Sequence, residues 1–328
     1  MSSEDSGPTE ASPTTGCFIV NFDLELAWGR FDIEYSEELV QRWRLTRKRV
    51  VPELLRILER HNISATWAVV GHLMLDECDG RHEEMEAYSP PHFPEWFRLD
   101  PGGTDDGESV WLARSMVEAI AHCPVPQEIA THTFSHVEFG SPALTSLRAR
   151  QELEMSRKLI SDLGGEMRSI VFPRGGNGHL DSVRDTGIQV YREADVSGYE
   201  HLSGLRRKLA HFSSELFALT PPTVLPQRDC EGLIVLRSSM LYNRRGRFRQ
   251  LIPMRQRVLR AVRGLRQAVR RREVFLLWTH PADFADSLQP MLGAFARICE
   301  YAAKLREEGK LSIVPLADVA DWWSKQQD

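Results

Sequence analysis

The strongest constraint on the fold is a strand–helix–strand unit at the head of the chain. Residues 17–23, CFIVNFD, form a nearly unbroken apolar run of strand length. Residues 45–61 then place Leu45, Val50, Val51, Leu54, Leu55 and Leu58 at helical spacing. SATWAVVG, 64–71, is a second apolar run. Two buried strands joined by a helical crossover pair parallel to one another, so the chain begins as an α/β protein.

The same alternation returns further on. Helices are expected at 109–122, 142–163, 179–187, 253–272, 289–307 and 316–324. Strands are expected at 128–132, 169–176 (with a loop), 188–195, 274–280 and 311–315. Such a series folds as a (β/α) barrel or an open α/β sheet, and 17–328 reads as a single domain. Residues 76–108 break the rhythm with Pro90-Pro91, Gly102-Gly103 and many acids. An aperiodic stretch of this length reads as a lid, a binding loop or a flexible insertion. Residues 1–16 are polar, acidic and rich in Ser, Thr and Pro, the composition of a disordered tail. They lack the basic start and apolar core of a secretory signal, and the five cysteines are scattered without CxxC spacing. A cytoplasmic protein with reduced thiols is the expectation. The net charge of −5 gives no whole-chain bias toward nucleic acid or membrane.

Two clusters carry chemistry. THTFSH places His132 and His136 four residues apart, and the first strand runs straight into Asp23 and Glu25. Two imidazoles and a carboxylate make a facial metal-ligand set with positions open to water and substrate. The second acid is then free to act as a base, which is the equipment for hydrolysing an amide or ester. Asp23, Glu25, His132, Arg174, Asp195 and His280 all fall at or just after expected strand ends. In β/α barrels that rim gathers the active site, so these residues are expected to converge.

These motifs resemble the NodB-homology polysaccharide deacetylases, carbohydrate esterase family 4, from about residue 17 to the end. NFDLE (21–25) is similar to the family's first motif in its D-x-D/E form. ATWAVVG (65–71) resembles its ATFFVVG strand. His132-Thr133-Phe134-Ser135-His136 matches H-[ST]-x-x-H, and Leu277-Trp278-Thr279-His280 matches L-x-x-H. The third motif, usually R-x-P-Y, is replaced by FPRGGN (172–177). The resemblance implies a distorted (β/α) barrel that removes N- or O-acetyl groups from a sugar or glycan precursor.

It also implies roles. Asp23 is the catalytic base. Glu25, His132 and His136 hold a divalent metal, with zinc expected and cobalt, nickel or manganese as alternatives. Helical spacing is expected to put the two imidazoles on one face. His280 is the general acid, and Asp195 orients it or an arginine. Arg174 follows its proline instead of preceding it. It is expected to hold Asp23 or to bind substrate, with its backbone N–H as an oxyanion donor; an ordinary Pro/Gly loop is the bland alternative. Trp28 and Trp278 are expected to contact the sugar, while Trp67 and Trp111 read equally well as core. The arginine-rich segment 244–272 reads as an amphipathic helix with a solvated basic face. The sharper alternative is a contact with anionic lipid or a lipid-phosphate-linked sugar; no nucleic-acid motif accompanies the charge.

Two further functional readings stay open. One is hydrolysis of another non-peptide C–N bond, such as a cyclic amide, with or without metal. The other is a sugar- or lipid-phosphate-binding protein that kept the fold and lost the chemistry.

Overall fold

The computed structural model describes residues 15–30, 32, 35–196, 202–245 and 247–326. Residues 1–14 of the expected tail lie outside these, and Gly16 already belongs to the first strand, β1 (Gly16–Leu24), all nine residues of which are buried. β1 is flanked by parallel neighbours on both sides. It pairs with β2 (Thr66–Val69), β11 (Val274–Thr279) and, at its start, β12 (Leu311–Ile313). From β2 the sheet runs through β5 (Glu128–Thr131), β6 (Ser169–Val171), β7 (Val190–Glu193) and β9 (Ile234–Arg237) to an antiparallel edge strand, β8 (Gln227–Arg228). On the far side β11 pairs with β10 (Met240–Leu241). This is the expected distorted barrel, a curled and mostly parallel half-barrel sheet in one domain.

Burial on both faces explains the uninterrupted apolar strands. Successive strand residues point to opposite faces. Phe18, Val20, Phe22 and Leu24 enter the larger core; Cys17 and Ile19 enter a smaller one with Ala68, Ala130, Val190, Leu276 and Trp322. Followed toward the strand ends, the second face carries Asn21 and Asp23 on β1, Arg192 on β7 and Trp278 on β11. The site therefore stands on the same face as the smaller core, at the C-terminal rim.

The helices are α1 (Glu37–Leu45), α2 (Val51–Arg60), α3 (Arg114–Ala121), α4 (Ser146–Asp162), α5 (Leu180–Asp185), α6 (Gly204–Leu216), α7 (Met254–Arg271), α8 (Leu288–Glu307) and α9 (Val319–Ser324). The first crossover begins at Glu37, earlier than the expected 45. A π turn, Thr46–Val50, joins α1 to α2. It turns Arg47 inward, where the buried guanidinium donates to the carbonyls of Ser109 (2.8 Å) and Leu112 (2.9 Å). The basic segment forms α7 as an amphipathic helix packed on β1 and α8. The packing is close: a Cβ on Gly264 would lie 2.5 Å from the Phe275 ring. α6 and β8–β10 occupy a stretch for which periodicity gives no expectation. The 76–108 segment holds a two-stranded pair, β3 (Glu77–Cys78) and β4 (Gly103–Thr104), and buries Tyr88, Phe93 and Trp96. Among the described residues no helix is long and apolar enough to cross a membrane.

Candidate active site

The expected residues gather around one oxygen. Glu25 Oε1 lies 3.1 Å from His132 Nε2, 3.3 Å from His136 Nε2 and 3.5 Å from His280 Nε2. Asp23, Glu25 and His280 also bring ligand-type atoms within 4.8 Å of one another. They face a cavity of about 330 Å³, further lined by Arg30, Arg42, Asn243 and Arg244.

Local backbone explains the convergence. β1 ends at Leu24, and Leu26 takes a left-handed φ of 46° that swings the chain into a short turn, Leu26–Arg30. Gly29 in that turn leaves room for the acid, since a Cβ there would sit 1.9 Å from Glu25 Oε2. The HTFSH segment is not helical. Thr133 (φ 60°) and His136 (φ 61°) are left-handed, and the two rings meet through a tight loop with centroids 5.1 Å apart. The i, i+4 spacing is thus a coincidence of loop geometry. Glu152 of α4 clamps the loop by accepting from the Ser135 N–H and hydroxyl, both at 2.7 Å, and is itself paired with buried Arg148. The N–H groups of Gly71 and His72 donate to the carbonyls of Thr133 and Phe134, both at 2.8 Å.

The donor set fits a divalent cation. His132 Nδ1 lies 2.7 Å from the Val171 carbonyl, which only accepts, so the neutral ring presents a lone pair at Nε2. Burial lowers the pKa of His136 below the ordinary value, against the pull of Glu25, and so favours a second neutral imidazole. Burial alone would raise the pKa of Glu25, but the charge of His280 beside it, with the polar contacts of the three rings, holds it well below the usual range. The His132 lone pair, aimed at the carboxylate oxygen, repels it unless a cation lies between them. The carbonyl behind His132 is the kind of outer partner that orients a ligating imidazole.

Asp23 is buried and gripped by Arg192, whose two terminal nitrogens each lie 2.7 Å from a different carboxylate oxygen; Asn21 Nδ2 adds a bond at 3.1 Å. Arg192 stacks over Trp278, 4.5 Å from the ring centroid, and Trp278 Nε1 donates to Asp195 at 2.6 Å. Burial lowers the pKa of His280, but Glu25, Asp283 and Asp23 override it and hold the pKa well above the ordinary value.

Several expectations need revision. Arg174 does not reach Asp23; it pairs with Asp32 (2.6 Å) and Glu138 (2.9 Å) at the edge of the site. Arg192 grips Asp23 instead, and its one sequence signal is a cation inside an otherwise strand-like run. Asp195 orients Trp278, while the acid beside His280 Nδ1 is Asp283 at 3.6 Å. Trp28 is fully buried, packed on His72 and Trp111, and offers no surface to a sugar. Trp67 is likewise buried, stacked on Phe22. Trp278 keeps partial exposure at the rim.

Two acids, an imidazole pair and a third imidazole thus stand together at the C-terminal rim of the curled sheet. The family model for polysaccharide deacetylase matches residues 31–196, just over half the chain, and the chain belongs to that family. No curated protein matches it. Among solved structures, a protein described as a polysaccharide deacetylase from Mycobacterium smegmatis superimposes with a TM-score of 0.62 at 13% identity, over 99% of this chain and 96% of that one. A second, from Pseudomonas aeruginosa, gives 0.58 at 11% identity, over 94% and 90%. Puue allantoinase gives 0.59 at 11% identity, over 97% and 94%. At these identities the likeness is one of fold.

Proposed function

We propose that this chain is a metal-dependent hydrolase that removes an acetyl group from an acetylated sugar or glycan precursor. The observation that carries the reading is the meeting of His132, His136 and Glu25 at one point beside the Arg192-held Asp23 and His280. A divalent ion there, zinc by the chemistry of the donor set, supplies an acidified water and an electrophile for the acyl oxygen when bound. Asp23 takes the proton of the attacking water, and its bidentate grip fixes which oxygen faces the cavity. His280, at the cavity wall with Asp283 behind it, returns a proton to the leaving nitrogen or oxygen. Membership of the family supports acetylated carbohydrate as the substrate class.

The groove beside the cavity extends the proposal. It encloses about 1190 Å³, includes Arg207, Lys208 and Phe212, and shares Arg30 and Arg244 with the cavity. Leu205, Leu209 and Leu251 stand exposed on it at 71%, 56% and 71%. Cations beside exposed leucines suit an anionic, lipid-linked glycan, with the contact made partly through the start of segment 244–272.

Elemental analysis and acetate release from a panel of acetylated sugars, free and lipid-phosphate-linked, test the reading. His132→Ala should lose metal from this site and lose turnover together. Full activity in that variant would overturn it. The likeness to an allantoinase favours one rival, hydrolysis of a cyclic amide, which a parallel assay on cyclic amides separates by ring opening without acetate. A binding protein without chemistry would keep its function in Asp23→Asn.

A further inference from the structure

A second convergence lies outside the candidate active site, at the base of the 76–108 segment. His72, Cys78, His82 and Asp100 each turn one ligand atom toward a common point, all within 4.8 Å of one another. Cys78 Sγ is 3.3 Å from His72 Nε2, 3.2 Å from His82 Nε2 and 3.6 Å from Asp100 Oδ2. Asp100 Oδ2 is 3.0 Å from His72 Nε2 and 2.8 Å from His82 Nε2. The side chains of His72 and Asp100 are fully buried, and that of His82 is 4% exposed.

We propose that these four residues form a structural site for a tetrahedral divalent ion of the zinc type, separate from the Glu25–His132–His136 set and independent of the deacetylase reading. Bonds of roughly 2.0–2.3 Å to nitrogen, oxygen and sulfur give tetrahedron edges of about 3.3 Å for N–O and about 3.6 Å for S–N. The cluster is already close to that size. Its proton count points the same way. His72 Nδ1 lies 3.2 Å from the Trp111 carbonyl, so the neutral ring turns a lone pair inward, as does the Asp100 oxygen. At most two protons, one on the thiol and one on His82 Nε2, then lie among the four atoms, whereas a cation is bound by all four.

The outer contacts are those of a built site. The Gly80 N–H donates to the sulfur at 3.2 Å and the Gly102 N–H to Asp100 Oδ1 at 3.0 Å. The tight turns behind both bonds need glycine, with φ 78° at Gly80 and 60° at Gly102. His82 Nδ1 has Glu84 at 3.8 Å. Four ligands close the tetrahedron and leave no position for substrate, which marks a structural site.

Its role follows from what it ties together. A segment with almost no regular structure is pinned at both ends, Cys78 and His82 at one and Asp100 at the other, onto His72. The His72 N–H holds the Phe134 carbonyl, and Trp96 from within the segment donates to the Ser135 carbonyl at 2.9 Å. The clamp therefore braces the loop that carries His132 and His136.

The full chain, purified in zinc-containing medium, is analysed for metal beside Cys78→Ser, His82→Gln and His136→Ala. About two equivalents in the parent, falling to about one in each variant, are expected. Cobalt substitution provides a readout in the parent itself, which should show the near-ultraviolet thiolate-to-cobalt absorption, and His136→Ala should keep it. One equivalent in the parent, unchanged in Cys78→Ser and without that absorption, would overturn the site while leaving the catalytic assignment intact. Loss of metal only in His136→Ala would overturn it equally. Two equivalents without acetate release would instead count against the deacetylase reading alone.

Discussion

Replacing Gly29 by alanine separates metal binding from folding more cleanly than removing a ligand. Gly29 lies in the short turn after β1, and its φ is outside the left-handed region, so the backbone accepts an alanine. The added Cβ, however, would stand 1.9 Å from Glu25 Oε2, where contacts under 3.0 Å essentially never occur. The carboxylate must retreat by about 1.1 Å, several times the ~0.2 Å tolerance of a ligand bond. The carboxylate carbon, 2.8 Å from the added Cβ, must shift as well, which carries Oε1 off the point where it meets His132 and His136 at 3.1 and 3.3 Å. Metal affinity at this site should fall at least ~100-fold, or about 2.7 kcal/mol. Stability of the metal-free chain should change by no more than ~1 kcal/mol, with a small gain from a stiffer unfolded state offsetting local crowding. Competition titration against a zinc chelator reads the first quantity and urea unfolding of the stripped protein the second. A Gly29→Ala protein that binds zinc as tightly as its parent would refute the placement of Glu25 as a ligand.

Arg192→Met removes the bidentate partner of the buried Asp23 carboxylate and leaves it the Asn21 hydrogen bond, and urea unfolding should show a loss of about 3–5 kcal/mol together with lost turnover. Arg174→Ala should cost less than Arg192→Met, because Arg174 itself is partly exposed and the buried Asp32 carboxylate keeps His92 at 3.5 Å; an equal loss in both variants would contradict the assignment of Asp23 to Arg192. Trp28→Ala should cost about 3–5 kcal/mol as a core cavity, and KM measured at a temperature where the variant is folded should stay within a few-fold of the parent. Burial works to raise the pKa of Glu215, but His211, Arg249 and Asn243 hold it down to about 2. Its pairing therefore contributes fully above the ordinary value of 4.5 and is lost as pH falls toward 2. Thermal melts between pH 5 and 2 should fall less steeply for Glu215→Gln than for the parent.

How much of the fold and site is legible in the sequence follows the range of the interactions. The Asp23–Glu25 pair, the HTFSH run and the LLWTH strand each lie within a few residues, and strand ends at one rim bring such residues together in any parallel barrel. Where local spacing and long-range packing mix, spacing alone misleads. His132 and His136 do meet, but through left-handed residues at Thr133 and His136, and not on a helix face. The pattern H-x-x-x-H records that two imidazoles are near one another in the chain and leaves the backbone between them undetermined.

The sequence by itself determined the alternation of apolar strands and amphipathic helices, and with it a parallel sheet and the place of the rim. Those follow from side-chain periodicity, which is local. Partner choice was decided only by the tertiary structure. Arg192 meets Asp23 across 169 positions, and Arg174, equally charged and nearer to the expected motif, turns to Asp32 and Glu138 instead. Trp28, next to the acid pair in sequence, is turned into the core by the left-handed step at Leu26. His72, Cys78, His82 and Asp100 lie scattered through an aperiodic stretch and meet only because the sheet fixes one of them while the segment folds back over it. Charge, lone pairs and apolar surface are properties of residues, but which of them are brought into contact is set by the path of the whole backbone.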